Sequence, residues 1–161
     1  NLDQCNDCYP LKSKTKSQAQ GYCEDRMAGF TLPSKDQWEV AANTNCPNCE
    51  GSNLFSFGNY LNPELLNSYT TGNDFNNEYP VGYFDAAGGR LEIFDMNGNL
   101  LEWTSTSNQE MQVLKGGSYQ DDASNCNNDE NFYRDPNASY ETVGFRCSIL
   151  KSEIQSQMEG N

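Results

Sequence analysis

The stretch DMNGNLLEW, Asp95 to Trp103, places two carboxylates on either side of an Asn-Gly-Asn turn. Paired carboxylates perform acid and base catalysis when one is desolvated enough to hold a proton; nothing in the sequence marks Asp95 or Glu102 that way. Hard oxygen ligands suit calcium instead. Asp95, Asn97 and Asn99 alternate like the first ligands of an EF-hand, but that loop needs Gly at its sixth position and Glu at its twelfth. This chain has Leu100 and Thr106 there, so the EF-hand reading fails. On the residues alone, a calcium loop of another design and an acidic hairpin turn both stay open. A second candidate set is CNDC and CPNC, in which Cys5, Cys8, Cys46 and Cys49 have the spacing of zinc ligands. An oxidising compartment would turn the same four into disulfides, the first reading, with zinc as the second.

Composition narrows the field. With 161 residues, a net charge of −13 and no histidine, the chain excludes His-based general bases and His-ligated metals. Nucleic acid is excluded as a partner, because a binder must neutralise phosphates with clustered Lys and Arg, and the basic residues are scattered apart from Lys12 to Lys16. No apolar run reaches the ~20 residues that span a bilayer. Seven cysteines point to an oxidising environment or a structural metal, and the odd count leaves at least one thiol over. The first residue is Asn, so a signal peptide or preceding domain is expected to have been removed.

The elements that must position these groups read as two helices followed by short strands, an α+β arrangement. KSQAQGYCEDRMAG carries Ala19, Cys23 and Met27 about every four residues, with Gly29 as a stop. LPSKDQWEVAAN has Ser34 as N-cap, Gln37 as its capping-box partner and Trp38, Ala41 and Ala42 as the buried stripe. Residues 43–77 are rich in Asn, Gly, Ser and Tyr without a period, and so long a loop needs something to tie it down. YPVGYF, LEIFDM, LLEWTST, MQVLKGGSY and VGFRCSIL are strand candidates. The tail 151–161 reads as a helix or a linker after a single domain over 1–150.

Four ordered segments, GYC with FTLPSKDQWEVAA, YPVGYF, IFDMNGNLLEWTS, and VLKGGSY followed by VGFRC, resemble the sulfatase-modifying-factor domain of formylglycine-generating enzymes. That resemblance implies a variant of the C-type lectin fold, two helices plus short antiparallel strands and long loops. It implies a structural calcium held by Asp95, Gly98, Leu100 and Glu102, with side-chain oxygens from the carboxylates and carbonyls from the other two. A second calcium set would map on Asn67, Ser68, Asp74 and Phe75, with Asn73 as a stand-in for Asp74. It also implies a disulfide between Cys23 and Cys147. Catalysis in the family rests on two copper-binding cysteines, five apart, just after the GGS motif; here those positions are Asp121 and Cys126, and the tryptophan expected before Glu102 is Leu101. One thiolate cannot give copper(I) its two-sulfur coordination, so the resemblance implies a non-catalytic member. Cys126 then reads as a small buried hydrophobe or a disulfide partner.

The C-terminal end also resembles the variable proteins of diversity-generating retroelements, with GGSY, Cys126, Pro136 and VGFR at matching spacings. In those proteins the residues between GGS and GFR form a ligand-contacting face. The candidates here are Tyr119, Asp121, Asp122, Asn127, Asn128, Phe132, Tyr133, Arg134 and Tyr140; by composition alone the interval could equally be a polar surface loop. The expectation is a secreted or cell-surface recognition and adhesion domain whose ligand is a carbohydrate or a protein. A sugar would stack on a tyrosine or Phe132; a protein would use the aromatics and Arg134 as anchors. The rival readings are a divergent oxidase and a structural module of a larger surface protein.

Overall fold

The structure, a computed structural model, describes residues 9–46, 53–71, 77–84 and 93–150. Helix α1 spans Lys16–Arg26 and helix α2 Lys35–Asn45, and each begins in a capping box. Ser34 Oγ accepts from the Gln37 amide at 3.1 Å while Gln37 Oε1 accepts from the Ser34 amide at 2.7 Å. Thr15 and Gln18 make the same reciprocal pair ahead of α1. These bonds satisfy amides that the first helical turn leaves without partners. Helix α1 buries Ala19 and Cys23, but Met27, expected on that stripe, is the C-cap and stays 48% exposed. Helix α2 buries Trp38 and Ala42 as the stripe requires, with Ala41 packed beside them.

Among the described residues the strands run from β1 (Phe30–Thr31) through β2 (Leu101–Asn108), β3 (Met111–Lys115), β4 (Phe132–Arg134) and β5 (Val143–Gly144) to β6 (Ser148–Ile149). Strands β4, β3, β2 and β5 form one sheet in that order, antiparallel except for the β2–β5 pair. Strand β1 pairs antiparallel with β6, bringing the start of the domain to its end. The main core joins Ala19 and Cys23 of α1 to Leu101, Trp103, Leu114 and Val143 of the sheet. The expected disulfide is present, with Cys23 bonded to Cys147 across 124 residues of sequence.

The strand expected at 79–84 does not form, and the described part of a second, 93–96, is not a strand either. Residues 79–84 are turn and irregular chain, as are 93–96. Side chains, not a neighbouring strand, satisfy their backbone. Asn99 accepts from the Tyr79 amide at 2.8 Å and donates to its carbonyl at 3.2 Å. Asp95 accepts from the Gly82 amide at 2.7 Å, and Asn45 brackets Ile93 by donating to its carbonyl and accepting from its amide. Asn and Asp compete in this way with sheet formation. The apolar residues that suggest a strand instead build a ring cluster of Tyr79, Tyr83 and Phe84.

Two measurements check this account. Asn97, 3% exposed, accepts from the Ser56 amide at 2.8 Å and donates to the Cys126 carbonyl at 2.7 Å and to Asn128 at 3.0 Å. Asn97→Ala leaves these buried groups unpaired and should cost about 3 kcal/mol or more in urea unfolding. Breaking the Cys23 link with paired serines should cost about 4–5 kcal/mol in the chain-entropy model, and a loss under 1 kcal/mol (a threshold roughly at the noise of surface changes) would refute the staple as a main source of stability.

Candidate functional site

The loop from Asp95 to Trp103 turns tightly because Asp95, Gly98 and Asn99 all take left-handed backbone conformations, with φ of 54°, 76° and 63°. At Gly98 a side chain would collide with the carbonyl of Asn67, with which this segment forms a bridge. Glu102 then enters β2 with its carboxylate turned inward. Arg146 grips it through Nε to Oε2 at 2.5 Å and Nη2 to Oε1 at 2.6 Å, and the Trp38 indole donates to Oε2 at 2.7 Å. Arg146 Nη2 also donates to the carbonyls of Phe94 and Asp95 at 3.2 and 3.3 Å. A cleft of about 350 Å³ opens beside this cluster, walled by Pro10, Val81, Ile93 and Phe145 with Asp95 and Arg146 lining it.

Asp95 keeps one oxygen on the Gly82 amide, while Oδ1 is buried with no hydrogen-bond partner among the described residues. Burial, against the Gly82 bond and the Arg146 charge, pushes its carboxyl up to about 6. Asn67 Oδ1 is buried and unpartnered in the same sense, next to the buried Ser68. One such oxygen therefore falls on each of the two expected calcium sets. Asp95 fits an oxygen-seeking cation, as do carbonyls of a turn shaped like this one. Glu102 fits less well, because both of its oxygens are engaged by the Arg146 guanidinium and the Trp38 indole. Among the described residues no three Asp, Glu or Cys side chains converge as a metal site. An ion at Asp95 would supply the charge that Oδ1 lacks and hold the turn. Asn73, Asp74 and Phe75, the rest of the second expected set, lie outside the described residues.

The GGS–GFR interval divides into residues that display and residues that support. Asp122 and Tyr133 are exposed, and Asp121, Asn127, Phe132, Arg134 and Tyr140 half-buried. Tyr119 and Asn128, expected to touch ligand, are only 3% and 0% exposed, and their burial makes them supports instead. Asn128 donates to the Asn53 carbonyl and accepts from Asn97, and the Tyr119 amide donates to the Asn99 carbonyl. Asn127 accepts from the amides of Asp129 and Glu130, fixing the loop crest. Lys115, fully buried, donates to the carbonyls of Asn128 and Glu130 at 2.6 and 2.7 Å and to Glu39 at 2.9 Å, with its ammonium over the Trp38 ring. Lys115 and Trp38 lie in the quoted motifs, yet no pattern of a single sequence assigns them to one cluster.

Asp121, at the position of the first family cysteine, accepts from both the amide and the hydroxyl of Ser118 at 2.9 and 2.6 Å. Cys126 is sealed under Gly117 and Leu66, and burial, aided by Asp121 and Asp122, pushes its thiol up to about 12. Such a thiol is not ionised at neutral pH and is a poor nucleophile or metal ligand. Cys46 is disulfide-bonded to a partner outside the described residues, which removes it as a zinc ligand; Cys5, Cys8 and Cys49 lie outside those residues.

Two helices against a small, curled, mostly antiparallel sheet, with long loops held by side chains, define a member of the formylglycine-generating-enzyme branch of the α+β folds. The sequence profile of the sulfatase-modifying factor enzyme 1-like domain matches residues 6–150, and the chain belongs to that family. PvdO from Pseudomonas aeruginosa superposes with a TM-score of 0.68 at 17% identity, covering 87% of this chain, which spans only 61% of PvdO. Treponema denticola variable protein 1 gives 0.70 at 16% identity over 88% of this chain and 71% of its own. CarF gives 0.71 at 16% over 93% and 71%. These identities show the shared fold. No curated protein matches by sequence.

Calcium and Asp95 can be tested together. Calcium should raise Tm at pH 7, and Asp95→Asn should remove most of that response. In chelator the sign of the pH effect is set by a folded-state pKa above the unfolded value. The stabilisation from protonated Asp95 is complete below pH ~4 and lost as pH rises through about 6. Relative to Asp95→Asn, the wild type should therefore lose on the order of 2 kcal/mol between pH ~4 and ~7. A flat difference would show that Asp95 is solvated.

Proposed function

We propose that this domain is a non-catalytic recognition module, exported from the cell, that binds a carbohydrate or a protein through the face between Gly117 and Gly144. The observation that carries this reading is the division of labour in that interval. Exposed Asp122 and Tyr133 and half-exposed Arg134 and Tyr140 belong to an interval whose backbone is held at Cys126 by Asn97, at Asn128 and Glu130 by Lys115, and at Tyr133 and Arg134 by the pairing of β4 with β3. Preorganised contact residues lose little freedom on binding, and tyrosine offers area at low entropy cost. Structural likeness to the Treponema variable protein supports the same use of the fold. The Cys23–Cys147 and Cys46 disulfides support an oxidising, extracytoplasmic location. Among the described residues no helix is long and apolar enough to cross a membrane. Calcium at Asp95, with the Gly98 and Leu100 carbonyls and Glu102 alongside, would serve the fold and not the ligand. We assign the domain to 1–150, with 151–161 as a tail outside the described residues.

Binding of the domain to a panel of glycans and surface proteins, with a Tyr133→Ala, Arg134→Ala variant beside it, tests the reading. The variant should lose about tenfold or more in affinity, the size expected for a truncated aromatic and Arg anchor pair, with its Tm within a few degrees of wild type. The rival oxidase predicts copper-dependent turnover of a thiol substrate that Cys126→Ser abolishes. We expect no such turnover, and its detection would overturn the proposal. Self-association through residues after Leu150, without ligand binding, would instead favour a structural module.

A further inference from the structure

The face proposed above has a neighbour outside the GGS–GFR interval. The turn that follows Ser68 is stitched to the interval twice: the Tyr69 amide donates to the Asp121 carbonyl at 2.9 Å, and the Ala123 amide donates to Thr70 Oγ1 at 2.9 Å. The turn is closed on itself by Thr71, whose hydroxyl donates to the Ser68 carbonyl at 3.0 Å, and it is rooted in Asn67 and Ser68, both buried. On this fixed base the Tyr69 side chain stays 69% exposed. A large aromatic left in solvent on so anchored a backbone, its amide bonded to Asp121 and so one residue from the exposed Asp122, has no role in the core.

The electrostatics of the interval choose what Tyr69 would hold. Between Gly117 and Gly144 there are six carboxylates and one cation, Arg134, a net of −5 within a chain of −13. The guanidinium of Arg134 lies over the Tyr140 ring, 5.8 Å from its centroid, so the face's own cation already sits on an aromatic. Among the described residues no Lys or Arg pairs with Asp122. An exposed phenol ring beside carboxylates receives an Arg or Lys side chain well: the cation lies on the ring face and its donors reach the carboxylates.

Accepting the recognition reading, we infer that Tyr69 extends the ligand face onto the 68–71 turn, and that the Tyr69–Asp122 corner takes an Arg or Lys side chain of a protein partner. The probe is a short oligo-arginine peptide, with a neutral Gly-Ser peptide as control, titrated by fluorescence anisotropy at low and high salt. Wild type should bind the basic peptide, more weakly as salt rises. Tyr69→Ala should weaken binding about three- to tenfold, the range for a partly desolvated cation–π contact; Tyr69→Phe should keep it. Tyr60→Ala, which removes a still more exposed ring (87%) from outside the interval, should change nothing. The inference is overturned if Tyr69→Ala behaves like Tyr60→Ala while Asp122→Asn and Tyr133→Ala still weaken binding, a result that leaves the recognition reading standing. Failure of the wild type to bind the basic peptide also overturns it, and the glycan and protein panel then judges the reading on its own.

Discussion

Long chain segments without strands can be buried only if something other than a sheet pairs their amides and carbonyls. In this domain buried asparagines do so. Asn97 joins Ser56, Cys126 and Asn128; Asn128 reaches on to Asn53; Asn99 holds Tyr79 through both its amide and its carbonyl; Asn45 does the same for Ile93. A primary amide carries donors and acceptor on one planar group, so a single Asn can replace a rung of a β-ladder without a neighbouring strand. The consequence is high stakes at each site, because a removed amide strands two or three buried groups at once. The loops that carry the proposed ligand face inherit their rigidity from this network.

A second chain of contacts runs through charge. Arg146 grips Glu102, Glu102 accepts from Trp38, and the Trp38 ring lies beneath the ammonium of Lys115, which holds the crest carbonyls of Asn128 and Glu130. Burial lowers the Lys115 pKa, and Glu39 opposes that by pairing with it. A buried ion pair is weak support for stability as such, since desolvation offsets much of its attraction. Its strength lies in geometry: two charges, each with several fixed partners, leave little freedom for the elements that bear them. Through this chain the turn at Asp95 and the crest at Asn128 and Glu130 share one core.

Elements with local signals were legible in the sequence. The α2 capping box reads directly from Ser34 and Gln37, and the β2 segment from its tryptophan and threonines. Thr15 and Gln18 obey the same capping rule as Ser34 and Gln37 and could have been read too. The strand expected at 79–84, and the described residues 93–96 of the next one, are not strands because an apolar, aromatic run says that residues are buried, not what pairs their backbone. Partners such as Asn99 for Tyr79 are 20 residues away, and Asn45 for Ile93 is 48 away, beyond any local pattern. The same limit applied to the face. The resemblance to the variable proteins marked Tyr119 and Asn128 as contact residues, but both are buried, and Asn serves equally well as a buried brace. Tyr69 was invisible as a neighbour of Asp121 because only the fold joins them.

Asp121, where the resemblance to the family expects a cysteine, has a structural role of its own. Its carboxylate accepts from the amide and hydroxyl of Ser118, building a turn that a thiol, with weak and diffuse acceptor character, would not hold. The same carboxylate, with Asp122, adds to the burial under Gly117 that raises the cost of ionising the Cys126 thiol. Replacing Asp121 by Cys would therefore not be a simple reversal. The turn at Ser118 would lose its acceptor, and Cys126 would still lack the exposure and positive surroundings that make a thiolate. Asp121 is thus part of the scaffold of the interval, holding the turn at Ser118 beside the buried Cys126.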